Sequence, residues 1–148
     1  MHFLWLVRWL LLPVLTESVA LLCRNCGHEI VKGSKLINVK SDRAIRSYNM
    51  TILNENQLVQ VFQNTVPEEF DVITASSAEV KLEGESSFDN TWWQNFEWTI
   101  CVCPNCLSRL GWYFQSGNIQ AKSHKSFFGL VLDYLISDEY VDSLTWVP

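Results

Sequence analysis

The sequence predicts a single, mainly β domain built from short strands. Its aromatic and β-branched residues occur in short runs that are separated by polar turns. Hydrophobic residues make up 48% of the 148 residues and charged residues 18%, a balance typical of a packed core rather than a disordered chain. No internal repeat or low-complexity linker divides the chain, so one domain is expected.

Runs of β-branched and aromatic residues predict the individual strands. The strongest is Phe96–Val102, FEWTICV, in which alternate side chains share one face. The composition of Gly84–Asn90 predicts a loop, Phe127–Leu135 is either a strand or a helix, and Asp42–Met50 has no clear period. The acidic tail from Ser137 is expected to cap the domain loosely. The other predicted strands are Ser34–Lys40, Leu58–Gln63, Phe70–Thr74, Glu79–Leu82 and Gly111–Gln115.

The charge balance argues against one class of partner. The formal net charge is -5 at pH 7. A surface that binds nucleic acid needs clustered Lys and Arg side chains to neutralise phosphates. No nucleic-acid partner is therefore expected.

Residues 1–20 have the pattern of a secretory signal peptide. Their apolar stretch is interrupted by Arg8 and is shorter than the roughly 20 apolar residues that span a bilayer. Small residues up to Ala20 predict cleavage after that position. The mature domain would then be residues 21–148, secreted and without a membrane span, with an uncleaved amphipathic anchor as the alternative. A sequon at Asn49 predicts a glycosylation site in that compartment.

Four of the five cysteines form two C-x2-C motifs. Two intervening residues let both sulfurs of a pair point at one centre, and four thiolates around one ion make a closed tetrahedral zinc site. One structural Zn²⁺ is the favoured prediction, with disulfides and a redox pair as alternatives because the predicted compartment is oxidising. Cys101 is left over and is expected to be a small, buried or half-buried apolar side chain. The predicted metal ligands are Cys23, Cys26, Cys103 and Cys106.

Four of the seven tryptophans lie close to the second cysteine pair. An indole usually packs in a core, but Trp92 follows a polar stretch. The turn at the second cysteine pair should place the strands of Trp98 and Trp112 side by side, and Phe114 shares a face with Trp112. Three indoles and a phenyl ring would then wall a small box for flat rings or cations. Ordinary core packing is the alternative.

Several motifs occur here in one fixed order. Asn90–Phe114, NTWWQNFEWTICVCPNCLSRLGWYF, contains W-x5-W-T, then C-x2-C, then G-W-x-F. Leu22–Cys26 supplies an opening C-x2-C motif, and Ser126–Leu130 reads SFFGL. In these motifs the chain, over about residues 21–136, resembles the CULT domain, the thalidomide-binding domain of cereblon. The combination is highly specific, whereas any one motif alone is weak.

This resemblance implies a fold and a function. The fold would be two small antiparallel sheets at a steep angle, with a four-cysteine zinc site near one end and a pocket on one sheet. The function would be non-enzymatic binding of cyclic imide or uracil-like rings such as the head group of thalidomide. The Lon-like and adaptor-docking segments of cereblon have no counterpart in this chain. A stand-alone secreted domain is therefore expected, rather than a ubiquitin-ligase substrate receptor.

The resemblance also implies roles for individual residues. Trp92, Trp98 and Trp112 match the family's tri-tryptophan cage, and Phe114 matches its fourth wall. Asn90 stands where the family has a histidine that hydrogen-bonds the glutarimide, and an Asn amide can still donate to an imide carbonyl. Asn64 loosely matches an asparagine on the loop that closes over the pocket, although the following Thr-Val-Pro departs from the family pattern.

Two other functions remain open. Methionine sulfoxide reductases of the B type resemble this fold and its zinc site, but they need a reactive cysteine on a late strand. No cysteine follows Cys106, and Cys101 lies too close to the second motif to take that place. An aromatic cage can also hold a quaternary ammonium group, for which Asp89 and Glu97 are nearby carboxylates. No catalytic residue is assigned.

Overall fold

Eleven short strands and a terminal helix form the described part of the chain. The computed structural model describes residues 19–116 and 125–144. The elements are β1 (Ala20–Cys23), β2 (Glu29–Lys32), β3 (Leu36–Ile37), β4 (Arg46–Ile52), β5 (Glu55–Gln63), β6 (Glu69–Ala75), β7 (Lys81–Ser87), β8 (Phe96–Val102), β9 (Arg109–Ser116), β10 (Ser126–Val131), β11 (Leu135–Ser137) and α1 (Asp138–Leu144), with single 3-10 turns at Gly33–Lys35 and Leu132–Tyr134.

The strands form two sheets, which confirms the predicted mainly β class. One sheet has three strands in the order β11-β1-β2. The other has eight strands and follows β4-β5-β6-β10-β9-β8-β7, with β3 paired to β6. Every pairing is antiparallel. The β8–β9 hairpin therefore lies between β10 and the edge strand β7 of the larger sheet.

The smaller sheet brings the two ends of the described chain together. β1 pairs with β11, and the backbone N–H of Ala20 donates to Asp138 Oδ2 at 3.0 Å. The acidic tail from Ser137 contributes the last residue of β11 and then continues as the helix α1. The predicted signal peptide lies outside the described residues up to position 18, and Ala20 is the first residue of β1. None of the described helices is both long and apolar enough to cross a bilayer.

Strands with strong β-branched and aromatic patterns are found where they are predicted. Phe96–Val102 is a strand with those bounds, and β5, β6 and β9 each contain the predicted run. The undecided segment Phe127–Leu135 begins as strand β10, because its residues pair with both β9 and β6. Of Ser34–Lys40, only Leu36–Ile37 is a strand.

Strand β4 was not predicted from the sequence, because its residues show no alternation of apolar and polar side chains. Six of its seven residues are exposed, so alternation between apolar and polar positions is missing. It pairs along its whole length with β5 across a two-residue turn, in which Leu53 and Asn54 have φ of 52° and 65°. Two positive φ angles are typical of a type I′ hairpin turn. Asn49, the predicted glycosylation site, is exposed on this strand.

The predicted loop Gly84–Asn90 is also wrong over its first half. β7 extends from Lys81 to Ser87 and pairs with β8 at the edge of the larger sheet. Its register shifts between Glu83 and Ser87, and Gly84 has a φ of +79°. Polar residues and glycine are tolerated here because an edge strand faces solvent and often carries a bulge.

The core divides into two clusters that meet at the β8–β9 hairpin. One cluster packs between the two sheets and contains Cys101, which is fully buried as predicted. The other cluster is mainly aromatic and is formed by residues of the larger sheet and of the β7–β8 loop. It consists of Phe62, Val72, Trp93, Phe114 and Phe127. The aromatic cluster supports the candidate binding cavity described below.

The phenol of Tyr48 on β4 gives a pH-dependent prediction. Partial desolvation of the exposed Tyr48 ring and the hydrogen bond that Tyr48 donates to Asp71 raise its pKa to about 12, above the ordinary value of about 10. Because the folded pKa is raised, the stabilisation is complete below pH 10 and is lost as the pH rises through 12. We expect a Tyr48→Phe variant to lose less stability than the wild type across this range in urea denaturation. Identical pH profiles would contradict the assignment.

Candidate functional site

The four motif cysteines converge at the junction of the two sheets. The Sγ atoms of Cys23, Cys26, Cys103 and Cys106 all lie within 4.8 Å of one another. Two of these separations are 3.7 Å between Cys23 and Cys106 and 3.6 Å between Cys26 and Cys103. A disulfide requires about 2.05 Å. A tetrahedral ion with metal–sulfur bonds of about 2.3 Å spaces its sulfurs by about 3.8 Å, so this donor set fits one such ion.

Both cysteine motifs adopt the same turn, one between β1 and β2 and the other between β8 and β9. In the first, the N–H of Gly27 donates to the carbonyl of Cys23 at 2.8 Å. In the second, the N–H of Leu107 donates to the carbonyl of Cys103 at 2.9 Å. The closing residue has a positive φ in both turns, +82° at Gly27 and 63° at Leu107. Because each turn directs its two cysteine sulfurs to the same side, the four sulfurs meet at a common centre.

Each cysteine turn supplies an asparagine side chain that contacts a cysteine of the other turn. The Asn25 side chain hydrogen-bonds Cys106, and with Ser108 it lowers the pKa of that thiol to about 5. In the same way Asn105 lowers the pKa of Cys26. Burial instead raises the pKa of Cys23 and of Cys103. The asparagine contacts therefore favour the thiolate form of Cys26 and Cys106, which is the form that a metal ion binds.

An aromatic cavity of about 220 Å³ opens on the larger sheet. Strands β8 and β9 supply one side of it, the β7–β8 loop supplies a second, and the β5–β6 loop supplies a third. Its lining residues are Asn64, Thr65, Asp89, Asn90, Trp92, Trp98, Arg109, Trp112 and Phe114. All five predicted ligand-binding residues are among them.

Antiparallel pairing brings two of the indoles close together in the cavity. Trp98 lies directly opposite Phe114, and Trp112 lies opposite Ile100, one step along the same face. Trp112 meets the ring of Trp92 edge-on, with centroids 4.6 Å apart and an interplanar angle of 70°. The two rings form a corner of the cavity, and Trp98 also lines it.

Burial separates the cavity walls from the core. Trp92, Trp98 and Trp112 are half-buried, whereas Phe114 is only 1% exposed and forms the floor. The adjacent Trp93 is 4% exposed and packs on Phe114 inside the aromatic cluster. Trp93 therefore packs in the core, whereas Trp92, Trp98 and Trp112 line an open cavity.

Contacts with Phe62 and with the segment before β4 hold the loop that carries Trp92 in place. Its ring stacks on Phe62, with centroids 4.6 Å apart and planes within 10°. Three hydrogen bonds join this loop to the segment before β4: Ser41 Oγ to the Trp92 carbonyl, Arg43 Nη1 to the Thr91 carbonyl at 2.5 Å, and Trp93 Nε1 to the Val39 carbonyl at 3.1 Å. The wall formed by Trp92 is therefore held without a ligand.

Asn90 is the polar residue at the mouth of the cavity. It is exposed and has a φ of 52°, a left-handed conformation that asparagine tolerates better than most residues. The carbonyls of Thr91 and Trp92 are already used by Arg43 and Ser41. Within residues 19–116 and 125–144, neither the carbonyl nor the side-chain amide of Asn90 has a hydrogen-bond partner. Both remain available to a bound molecule.

Two residues that line the cavity, Thr65 and Arg109, were not assigned to the site from the sequence, and one assigned carboxylate does not line it. Arg109 lines the cavity with its guanidinium carbon 5.3 Å from the centroid of Trp112, but it was not predicted as a site residue. Of the two nearby carboxylates, Asp89 lines the cavity, and its carbonyl accepts the indole N–H of Trp98 at 2.8 Å. Glu97 is hydrogen-bonded to Gln115 at 2.9 Å and does not line the cavity.

No protein-family model matches this chain. The sites therefore rest on their own geometry: four cysteines that fit a metal ion, and a group of tryptophans around a small cavity.

Proposed function

We propose that this chain is a secreted, non-enzymatic module that binds flat cyclic imide or uracil-like rings, and that a structural zinc ion supports its fold. The observation that carries the proposal is the cavity walled by Trp92, Trp98 and Trp112 over a floor of Phe114. The sequence resemblance to CULT domains supports the same ligand class and the same metal. Zinc would be held by the four clustered cysteines.

The size of the cavity favours a compact ring. Ligand pockets usually measure about 300–1,000 Å³, and this one measures about 220 Å³. Three indoles would remove both faces of a small ring from water, at about 25 cal/mol per Å² of apolar surface. Because few atoms are buried, we expect a micromolar Kd, on the order of -8 kcal/mol.

The polar edge of the ring determines its orientation. Glutarimide, succinimide and uracil share an edge of C=O, N–H and C=O, and burying it without partners would cost about 1–3 kcal/mol per group. Asn90 offers one carbonyl for the imide N–H and one amide N–H₂ for an imide carbonyl. The ring would therefore enter with its imide edge towards Asn90 and leave any substituent near solvent.

The charges in the cavity bear on the alternative of a quaternary ammonium ligand. Asp89 would favour a cation, but Arg109 lies over Trp112 and would repel one. A neutral ring has no such conflict. The aromatic walls alone serve either ligand, so the two ligand classes are compared directly in the titration below.

Titration with uracil, uridine and thalidomide tests the proposal through intrinsic tryptophan fluorescence. We expect saturable changes in the wild type, and at least about tenfold weaker binding by Trp98→Ala because one cavity wall is lost. Phe88→Ala is the matched control, since Phe88 is an exposed aromatic residue on the β7–β8 loop that does not line the cavity. Metal content should stay unchanged in both variants. A flat signal with all three ligands, together with saturation by trimethyl-lysine, would replace the proposal with the cation cage.

A further inference from the structure

Among the described residues that line the aromatic cavity, Arg109 is the one cation. It is exposed, and neither of the ion pairs in the described ranges involves it. Its guanidinium carbon lies 5.3 Å from the centroid of Trp112, within the range of a cation–π contact. A guanidinium stacked in this way keeps its N–H groups available for a carboxylate or phosphate.

A β-bulge places Arg109 in the cavity. Cys101 pairs with Gly111 and Val102 pairs with Arg109, so Leu110 is an extra residue on β9. In a regular strand, side chains three positions apart point to opposite faces. The extra residue reverses this alternation, and Arg109 comes to the face that carries Trp112.

The two polar ends of the cavity lie at opposite ends of the β8–β9 hairpin. Asn90 lies beside Trp98, because the carbonyl of the preceding residue, Asp89, accepts a hydrogen bond from the Trp98 indole N–H. Trp98 is near the open end of the hairpin, whereas Arg109 pairs with Val102 next to the cysteine turn. A ring with its imide edge at Asn90 would therefore turn its opposite edge towards Arg109.

We propose that Arg109 makes this cavity select flat imide-type rings that carry an anionic group, a carboxylate or a phosphate, on the edge opposite the imide. This inference rests on the proposed function and adds the charge and position of the substituent. In uracil, C6 lies across the ring from the imide N–H, so a 6-carboxylate points towards Arg109. A 5-carboxylate adjoins an imide carbonyl and points away from it.

Isothermal titration calorimetry with four ligands tests the inference. The ligands are uracil, uracil-6-carboxylate (orotate), the neutral methyl ester of orotate, and uracil-5-carboxylate. We expect orotate to bind about fivefold more tightly than its methyl ester at low ionic strength, as for a partly exposed ion pair, and this advantage to shrink in about 0.5 M salt. The 5-carboxylate should gain no such advantage. Because all four ligands are compared on the wild-type protein, this result does not depend on the folding of any variant.

Variants at position 109 identify the group responsible. Arg109→Gln should weaken the binding of orotate more than the binding of uracil, and so remove the advantage of orotate over its methyl ester, because uracil carries no charge for Arg109 to bind. Arg109→Lys should retain part of the advantage. An equal loss for uracil and orotate in Arg109→Gln would mean that Arg109 only supports Trp112, and it would overturn the inference.

The outcomes also separate this inference from the proposed function. If uracil binds but orotate binds no more tightly than its methyl ester, the charge selection is wrong and the proposed function stands. If none of the four ligands binds, the proposed function and this inference fail together.

Discussion

Replacing Cys103 with serine is expected to abolish metal binding and to unfold most of the protein. A structural Zn²⁺ site in a small peptide contributes about 10–16 kcal/mol, which is comparable with the whole stability of a typical domain, about 5–15 kcal/mol. Cys103 is fully buried, and its sulfur lies 3.6 Å from that of Cys26. Elemental analysis should find one zinc per wild-type chain and none in the variant, with loss of the near-ultraviolet circular dichroism of the packed tryptophans.

Cys101→Ala is the matched control for this experiment. Cys101 is also fully buried, but it lies outside the sulfur cluster and packs in the core between the two sheets. Its replacement should cost about 1 kcal/mol of stability, as for other small losses of buried volume, and should leave the zinc content at one per chain. A Cys103→Ser protein that keeps its zinc, or that melts within a few degrees of the wild type, would contradict the metal model.

The second large effect is expected from Gly111→Ala. A Cβ atom added at Gly111 would lie 2.0 Å from the carbonyl oxygen of Gly129 on the neighbouring strand β10. That oxygen belongs to the backbone at the centre of the larger sheet, so it cannot move aside as a flexible side chain would. The φ of +157° at Gly111 adds to the cost for a residue with a side chain. We expect a loss of about 3–5 kcal/mol in urea denaturation.

Gly84→Ala separates the collision from the backbone strain. Gly84 also has a positive φ, +79°, but nothing lies within 4 Å of an added Cβ. Its replacement should therefore cost only about 1–2 kcal/mol, the ordinary cost of a left-handed conformation. Equal losses in the two glycine variants would show that close packing of β9 against β10 is not the cause.

The parts of the candidate site that the sequence predicts are those fixed by short-range geometry. Two C-x2-C motifs place sulfurs within a turn, and the second motif sets up the hairpin on which Trp98 and Trp112 become neighbours. Alternation along a strand then places Phe114 beneath them. Each of these steps needs only the spacing of a few residues, and each agrees with the structure.

Other features depend on information that residue spacing does not carry. Residue spacing alone does not distinguish Trp92 from Trp93, because the path of the β7–β8 loop decides which indole reaches the core; the choice of Trp92 comes from the resemblance to CULT domains. The bulge at Leu110 is equally hidden, so Arg109 is assigned to the wrong face by simple alternation. Strand β4 escapes prediction because its stability comes from pairing with β5 and not from apolar side chains of its own.

The hydrogen bonds behind Trp92 have a consequence for how quickly a molecule could be captured. Ser41 and Arg43 fix the backbone of this loop, and Phe62 fixes the ring. The loss of conformational entropy that accompanies this ordering occurs when the chain folds, not when a guest arrives. Ligand binding against Trp92 therefore requires no slow rearrangement of this loop. The association rate there would be governed by diffusion and by the release of water.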